Sequence, residues 1–114
     1  NLFKARYDMS QQGEETVVII QESAVFSNLP GFKKAFATID PSGKTVVDFT
    51  QAHLLDHTFM EFLHHFEEKC THEGGSIVSV GFDRFKPFSN HPLAARKVAK
   101  DADNRLEIRL TPRQ

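Results

Sequence analysis

Hydrophobic and polar positions follow two rhythms along this chain. In "TVVIIQE" (16 to 22) apolar, mostly β-branched residues run almost unbroken, as in a strand covered on both faces. "TVVDF" (45 to 49) repeats that pattern, and "SIVSVGF" (76 to 82) predicts a further strand. Between them the period lengthens. Phe32, Ala35, Phe36 and Ile39 fall at i, i+3, i+4 and i+7 and make one helical apolar face. Asn28 is the expected cap of that helix. Pro30 lies in its first turn, where a missing N–H costs nothing. A second helix is predicted from about 57 to 72, burying Phe59, Phe62, Leu63, Phe66 and Cys70. Its other side carries Glu61, His64, Glu68 and His72, and Gly74-Gly75 ends it.

The remaining stretches complete the pattern. "FKARYD" (3 to 8) reads as a first strand, and "MSQQGEE" with Gly13 as a turn, so the first two strands pair antiparallel. "DPSGK" (40 to 44) is a turn in which Pro41 sets φ and Gly43 permits positive φ. "DRFKPFSNHP" is irregular. "LAARKVAKDA" reads as a basic helix with Arg96, Lys97 and Lys100 on one face. "NRLEIRLTP" (104 to 112) alternates as a half-exposed edge strand does. Strands alternating with helices require some parallel pairing. The expectation is an α/β fold: one domain over 1–114, with a mixed sheet of about four to five strands packed with three to four helices.

Composition narrows the class of protein. Apolar residues at 39% and charged residues at 25% are ordinary for a globular domain, and 114 residues suit one core. Eleven Phe and no Trp predict a core packed by benzyl groups. A net charge of −1 gives no overall electrostatic case for nucleic acid. A single cysteine, Cys70, allows no internal disulfide. No stretch approaches the roughly 20 apolar residues that cross a bilayer. There is no signal-peptide pattern, and the start at Asn1 is what excision from a longer protein would give.

The candidate chemistry centres on Asp56-His57-Thr58. Asp56 is suited to cap the second helix. The same loop follows a strand, where open α/β sheets place their sites. A Ser-His-Asp triad is not supported, because contiguous side chains leave a helix start in different directions and no nucleophile elbow is present. His57, Glu61, His64 and His65 have helical spacing but not the i, i+4 pair of a zinc helix, so they read as polar-face residues. No metal site, cofactor or glycine-rich phosphate loop is expected. Ser27 and Asn28, at the other helix start, are the better candidates for an anion or nucleotide contact. The basic residues of "LAARKVAKDA" read as a solvated face, or as a contact for an anionic partner or a lipid surface.

The stretch "VVIIQESAVFSNLPGFKKAF", then "KTVVDFTQAHLLDHTFMEFLHHFEEKCTHEGGSIVSVGF", resembles the STAS domain of sulphate transporters and anti-sigma-factor antagonists. The likeness covers roughly residues 16 to 82. It rests on the strand before Phe26-Ser27-Asn28, on "VVDF" leading toward Asp56, and on the helix ending at a glycine turn. Antagonists of this family look like Asp-Ser-Ser/Thr-Gly at the loop, where the serine after the Asp is phosphorylated by a partner kinase. Here His57 stands at that position, Thr58 follows, and Phe59 replaces the Gly. The Phe-x-Asn opening and the Asp-His pair are similar to the carboxy-terminal domain of bacterial SulP anion permeases.

That resemblance implies a non-catalytic regulatory domain, without cofactor, on the cytoplasmic face of an inorganic anion transporter for sulphate or bicarbonate. Its partners would be the transmembrane domain of the same chain, a second copy, or another cytoplasmic regulator, and not nucleic acid. Asp56, His57 and Thr58 would form the partner loop. An imidazole titrates near neutral pH, so His57 at such a contact would make it pH-sensitive. A free-standing anti-sigma-factor antagonist and a nucleotide- or anion-sensing module are the alternatives.

Overall fold

The computed structural model describes residues 3–87 and 96–98. Three long strands form its frame: β1 (Tyr7–Gln12), β2 (Glu15–Ala24) and β3 (Lys44–Leu55). β1 pairs antiparallel with β2, and β2 pairs parallel with β3. A parallel connection needs a crossover, and α1 (Leu29–Phe36) supplies it. The helix α2 (His57–His72) then carries the chain to β4 (Ser76–Val80), which pairs parallel with the first half of β3. Two three-residue strands, β5 (Phe85–Pro87) and β6 (Arg96–Val98), close the sheet. β6 lies antiparallel against the last residues of β3, with Leu54 opposite Lys97 and Leu55 opposite Arg96. β4 and β6 thus share one edge of β3.

Both helices pack on the same face of the sheet. Phe36 meets Phe62 and Phe66 edge-on at 5.3 and 5.1 Å, which locks α1 to α2. Phe32 reaches Phe59 at 5.4 Å and Tyr7 of β1 at 6.0 Å. Beneath them Val18, Ile20, Val47 and Phe49 are fully buried. Alternation along the strands sends Val17, Ile19 and Val46 to the other face, where they are only half-buried, and where Val78 and Val80 of β4 are exposed. Among the described residues the core is therefore one-sided, with the benzyl groups at its centre. The buried hydroxyl of Thr45, on the core side of β3, has no hydrogen-bond partner among the described residues.

The expected mixed α/β sheet with helices packed on it is present, and α2 has the predicted bounds. Among the described residues the helical part comprises α1, α2 and the 3-10 turns Phe26–Asn28 and Phe82–Arg84. Several boundaries differ. β1 begins at Tyr7 and takes in Met9–Gln12, which read as turn, because each of these residues pairs with β2; the reversal shrinks to Gly13-Glu14, with Gly13 at φ +67°. β3 runs on through "TQAHLL", past the predicted strand end at Phe49, because β2 flanks it on one side and β6 pairs with its end on the other. Gly43 is not among the residues at positive φ. Its carbonyl instead receives the N–H of Ser76. β4 ends at Val80, since Gly81 at φ +79° turns the chain. Arg96 and Lys97 lie in strand β6 rather than on a basic helix, because pairing with β3 and β5 overrides a local helical period. Lys100 and the edge strand expected at 104–112 lie outside the described residues.

Candidate functional site at the ends of the parallel strands

β2 and β3 are parallel neighbours, so they end side by side. The N–H of Asp56, just past β3, donates to the carbonyl of Ala24 at the end of β2 (3.2 Å). That bond brings together two helix starts that are 30 residues apart in sequence. One is the Phe26–Asn28 turn leading into α1. The other is the first turn of α2.

Asp56 joins them. Its Oδ1 accepts the N–H of Phe59 at 2.9 Å, which is the expected N-cap of α2. Its Oδ2 accepts the N–H of Phe26 at 2.8 Å. One carboxylate therefore satisfies an otherwise orphan donor at each helix start. It also places a negative charge where both sets of peptide dipoles favour one. An external anion would have to compete with a carboxylate already held by two charge-assisted bonds.

Asn28 has a different role from the one its position suggests. It occupies the N-cap position of α1, but its side chain does not cap. The Oδ1 accepts from the N–H of Val25 and the Nδ2 donates to the carbonyl of Ser23, both at 2.9 Å. At 3% exposure it is an internal brace for the loop rather than a group presented to solvent. Ser27 beside it is half-buried. His57 and Thr58, by contrast, are exposed on the first turn of α2. The corner thus has a rigid base made by Asp56 and Asn28 and an outer surface made by His57, Thr58 and the exposed ring of Phe26.

Among the described residues, the other titratable groups do not build a second centre. His64 and His65 each approach Glu68, at 3.2 and 3.4 Å, on the exposed side of α2. Among the described residues no group of three or more His, Cys, Asp or Glu is placed to hold a metal ion. Burial pushes the Cys70 thiol up from its ordinary range, and the charges of Glu67 and Glu73 add to this. A buried thiol with a raised pKa is a poor nucleophile. The Asp40 carboxyl is held below its ordinary value, first by the hydroxyl of Ser42 (2.7 Å) and then by its N–H (3.0 Å). This belongs to the 40–44 turn, away from the corner.

The sequence singled out both loops but did not show that they meet. The link is made through a backbone N–H, that of Phe26, which has no side-chain signature. The one available sign was that Phe26 falls outside the apolar period of α1.

A scan against family models and a search of curated proteins give no match. Solved structures do share the fold. Two are crystal structures of Mglu, with TM-scores of 0.57 and 0.56 at 10% and 8% identity. Each match covers 63% of this chain but only 18% and 22% of the Mglu chains, so the shared fold is a small part of those proteins. A third is an anti-sigma-factor antagonist, a STAS domain from Rhodobacter sphaeroides, with a TM-score of 0.50 and 21% identity. There the match covers 70% of this chain and 87% of the other. The fold of the present chain is STAS-like.

Proposed function

We propose that this chain is a non-catalytic interaction module of the STAS type, with the Asp56 corner as its partner-binding surface. The carrying observation is the division of labour at that corner. Asp56 and Asn28 are occupied in holding backbone, while His57 and Thr58 stand exposed on the first turn of α2. Recognition needs a rigid base with exposed side chains, which is what this corner has.

Two settings fit such a module. Similarity to a fold whose match spans 87% of an antagonist domain favours a free-standing regulator that binds another protein. In that setting Thr58, the exposed hydroxyl beside the acceptor position, is the residue that phosphorylation would switch. A phosphate there would stand near the Asp56 carboxylate, and like-charge repulsion would alter the surface. The second setting is the cytoplasmic regulatory domain of a SulP-type anion transporter. It is favoured by His57 at the acceptor position and by Phe59, fully buried, at the position of the family's glycine. A second copy of the chain is a candidate partner in either setting.

Photo-crosslinking in cells tests the surface. A benzophenone side chain at Thr58 is expected to capture a protein partner, whereas the same group at exposed Thr71, near the far end of α2, is not. Equal capture from both positions, or none from Thr58, would remove the corner as the contact surface. Fractionating the captured species separates the settings. A membrane-embedded product of the same gene supports the transporter, and a separate soluble protein supports the free-standing regulator.

A further inference from the structure

The outer side of α1 carries an unusual surface. Phe26, just before the helix, is 70% exposed, and Phe3 is 71% exposed. These are the most exposed of the large apolar side chains among the described residues. A benzyl group in water is costly, and most of the chain's Phe residues avoid it. The two rings border two shallow grooves that flank α1. The first is lined by Phe26, Leu29, Pro30, Lys33 and Lys34. The second includes Phe3, Lys4 and Gly31, and shares Lys34 with the first.

The close approach at Gly31 makes them one surface. A Cβ on Gly31 would lie 2.8 Å from the Cβ of Ala5, so only glycine lets the amino-terminal segment cross the helix there. Lys4, Lys33 and Lys34 then project around an apolar floor. All three lysines are exposed, and no acidic side chain lines either groove. The ion pairs formed among the described residues use other cations. In a chain of net charge −1 this is a local concentration of positive charge.

We infer that this face of α1 docks on an anionic phospholipid surface, with Phe3 and Phe26 entering the headgroup–acyl boundary and Lys4, Lys33 and Lys34 facing the lipid phosphates. Both ingredients are needed. Aromatic side chains alone would favour any apolar partner, and lysines alone would favour any polyanion. Exposed rings ringed by lysines, with no acid between them, match an interface that is apolar below and anionic above. Phe26 borders the His57–Thr58 surface as well, but the other residues of the inference lie outside it, and the inference does not depend on a protein partner there.

The test is co-sedimentation of the full 114-residue chain with vesicles. One set is phosphatidylcholine alone, and the other also carries phosphatidylglycerol. Binding to the second set is expected to exceed binding to the first. It should fall as salt rises, because the Debye length shrinks from about 30 Å at 0.01 M to about 8 Å at 0.15 M. Each of Lys33→Gln and Lys34→Gln is expected to weaken binding about fivefold. Phe26→Ser should weaken it about tenfold or more. All three positions are exposed, so an unchanged circular dichroism spectrum and melting temperature will show that the variants fold. Absence of binding, equal binding to neutral vesicles, or variants that bind like the parent would each overturn the inference. An acidic protein as the true partner would give the first of these results.

Discussion

At the scale of single residues, Asp56 shows how one side chain can hold a loop, a helix and a strand end together. Its two oxygens serve two N–H groups that lie in different segments, Phe59 and Phe26. An N-cap alone contributes about 1 kcal/mol, and a hydrogen bond to a charged group contributes about 1.5–3 kcal/mol. Asp56 is half-buried, so solvent screening reduces the second figure. Asp56→Ala is therefore expected to lower unfolding stability by about 2–3 kcal/mol. Asp56→Asn can keep one acceptor for Phe59 but must turn its amide nitrogen toward the N–H of Phe26. It should cost about 1–2 kcal/mol. Urea titration of the three proteins checks this order. If Asn costs only a few tenths, the link to Phe26 contributes nothing and the corner is held by the α2 cap alone. His57 and Thr58 are exposed on the same first turn, where a partner can reach them.

At the scale of elements, the junction between α2 and β4 is set by close backbone packing. Gly74 ends the helix at φ +83°, where a side chain meets nothing within 4 Å. Gly75 is crowded instead. A Cβ there would collide with the carbonyl of Pro41 and lie 2.6 Å from that of Gly43. The neighbouring bond from Ser76 N–H to the Gly43 carbonyl, 3.0 Å long, ties the same turn to the start of β4. Gly74→Ala should thus cost only the left-handed backbone strain, about 1 kcal/mol. Gly75→Ala must displace backbone and should cost more, at least about 2 kcal/mol. Thermal melts of the two variants decide it. Equal destabilisation would mean that the 40–44 turn moves aside freely. Gly75 thus packs the 40–44 turn against the junction between α2 and β4.

At the scale of the whole molecule, one core joins both helices to one face of the sheet. Tyr7 of β1 belongs to it through its ring contact with Phe32. β1 is an edge strand, but this ring contact ties its unfolding to that of the core. Tyrosine fluorescence, which here reports Tyr7 alone, and far-ultraviolet circular dichroism should then give the same urea midpoint. An earlier fluorescence transition would show that β1 unfolds separately. The opposite sheet face, with exposed Val78 and Val80, adds little to this cooperativity.

Local pattern was sufficient for α2, for the buried halves of β2 and β3, and for the capping role of Asp56. Those features depend on periodicity and on hydrogen bonds within three residues, which a sequence displays directly. The α/β class followed from the alternation of the two periods. Tertiary structure decided the rest. The polar tail of β1 and the "TQAHLL" half of β3 are strands because neighbours accept and donate their backbone bonds, and backbone pairing has no residue code. Arg96–Val98 took the sheet over a local helical preference for the same reason. The site has this origin too. The sequence holds a good cap at Asp56 and a polar loop at Phe26–Asn28. Only the parallel register of β2 and β3, which sets Ala24 beside Leu55, brings the second oxygen of Asp56 to the N–H of Phe26.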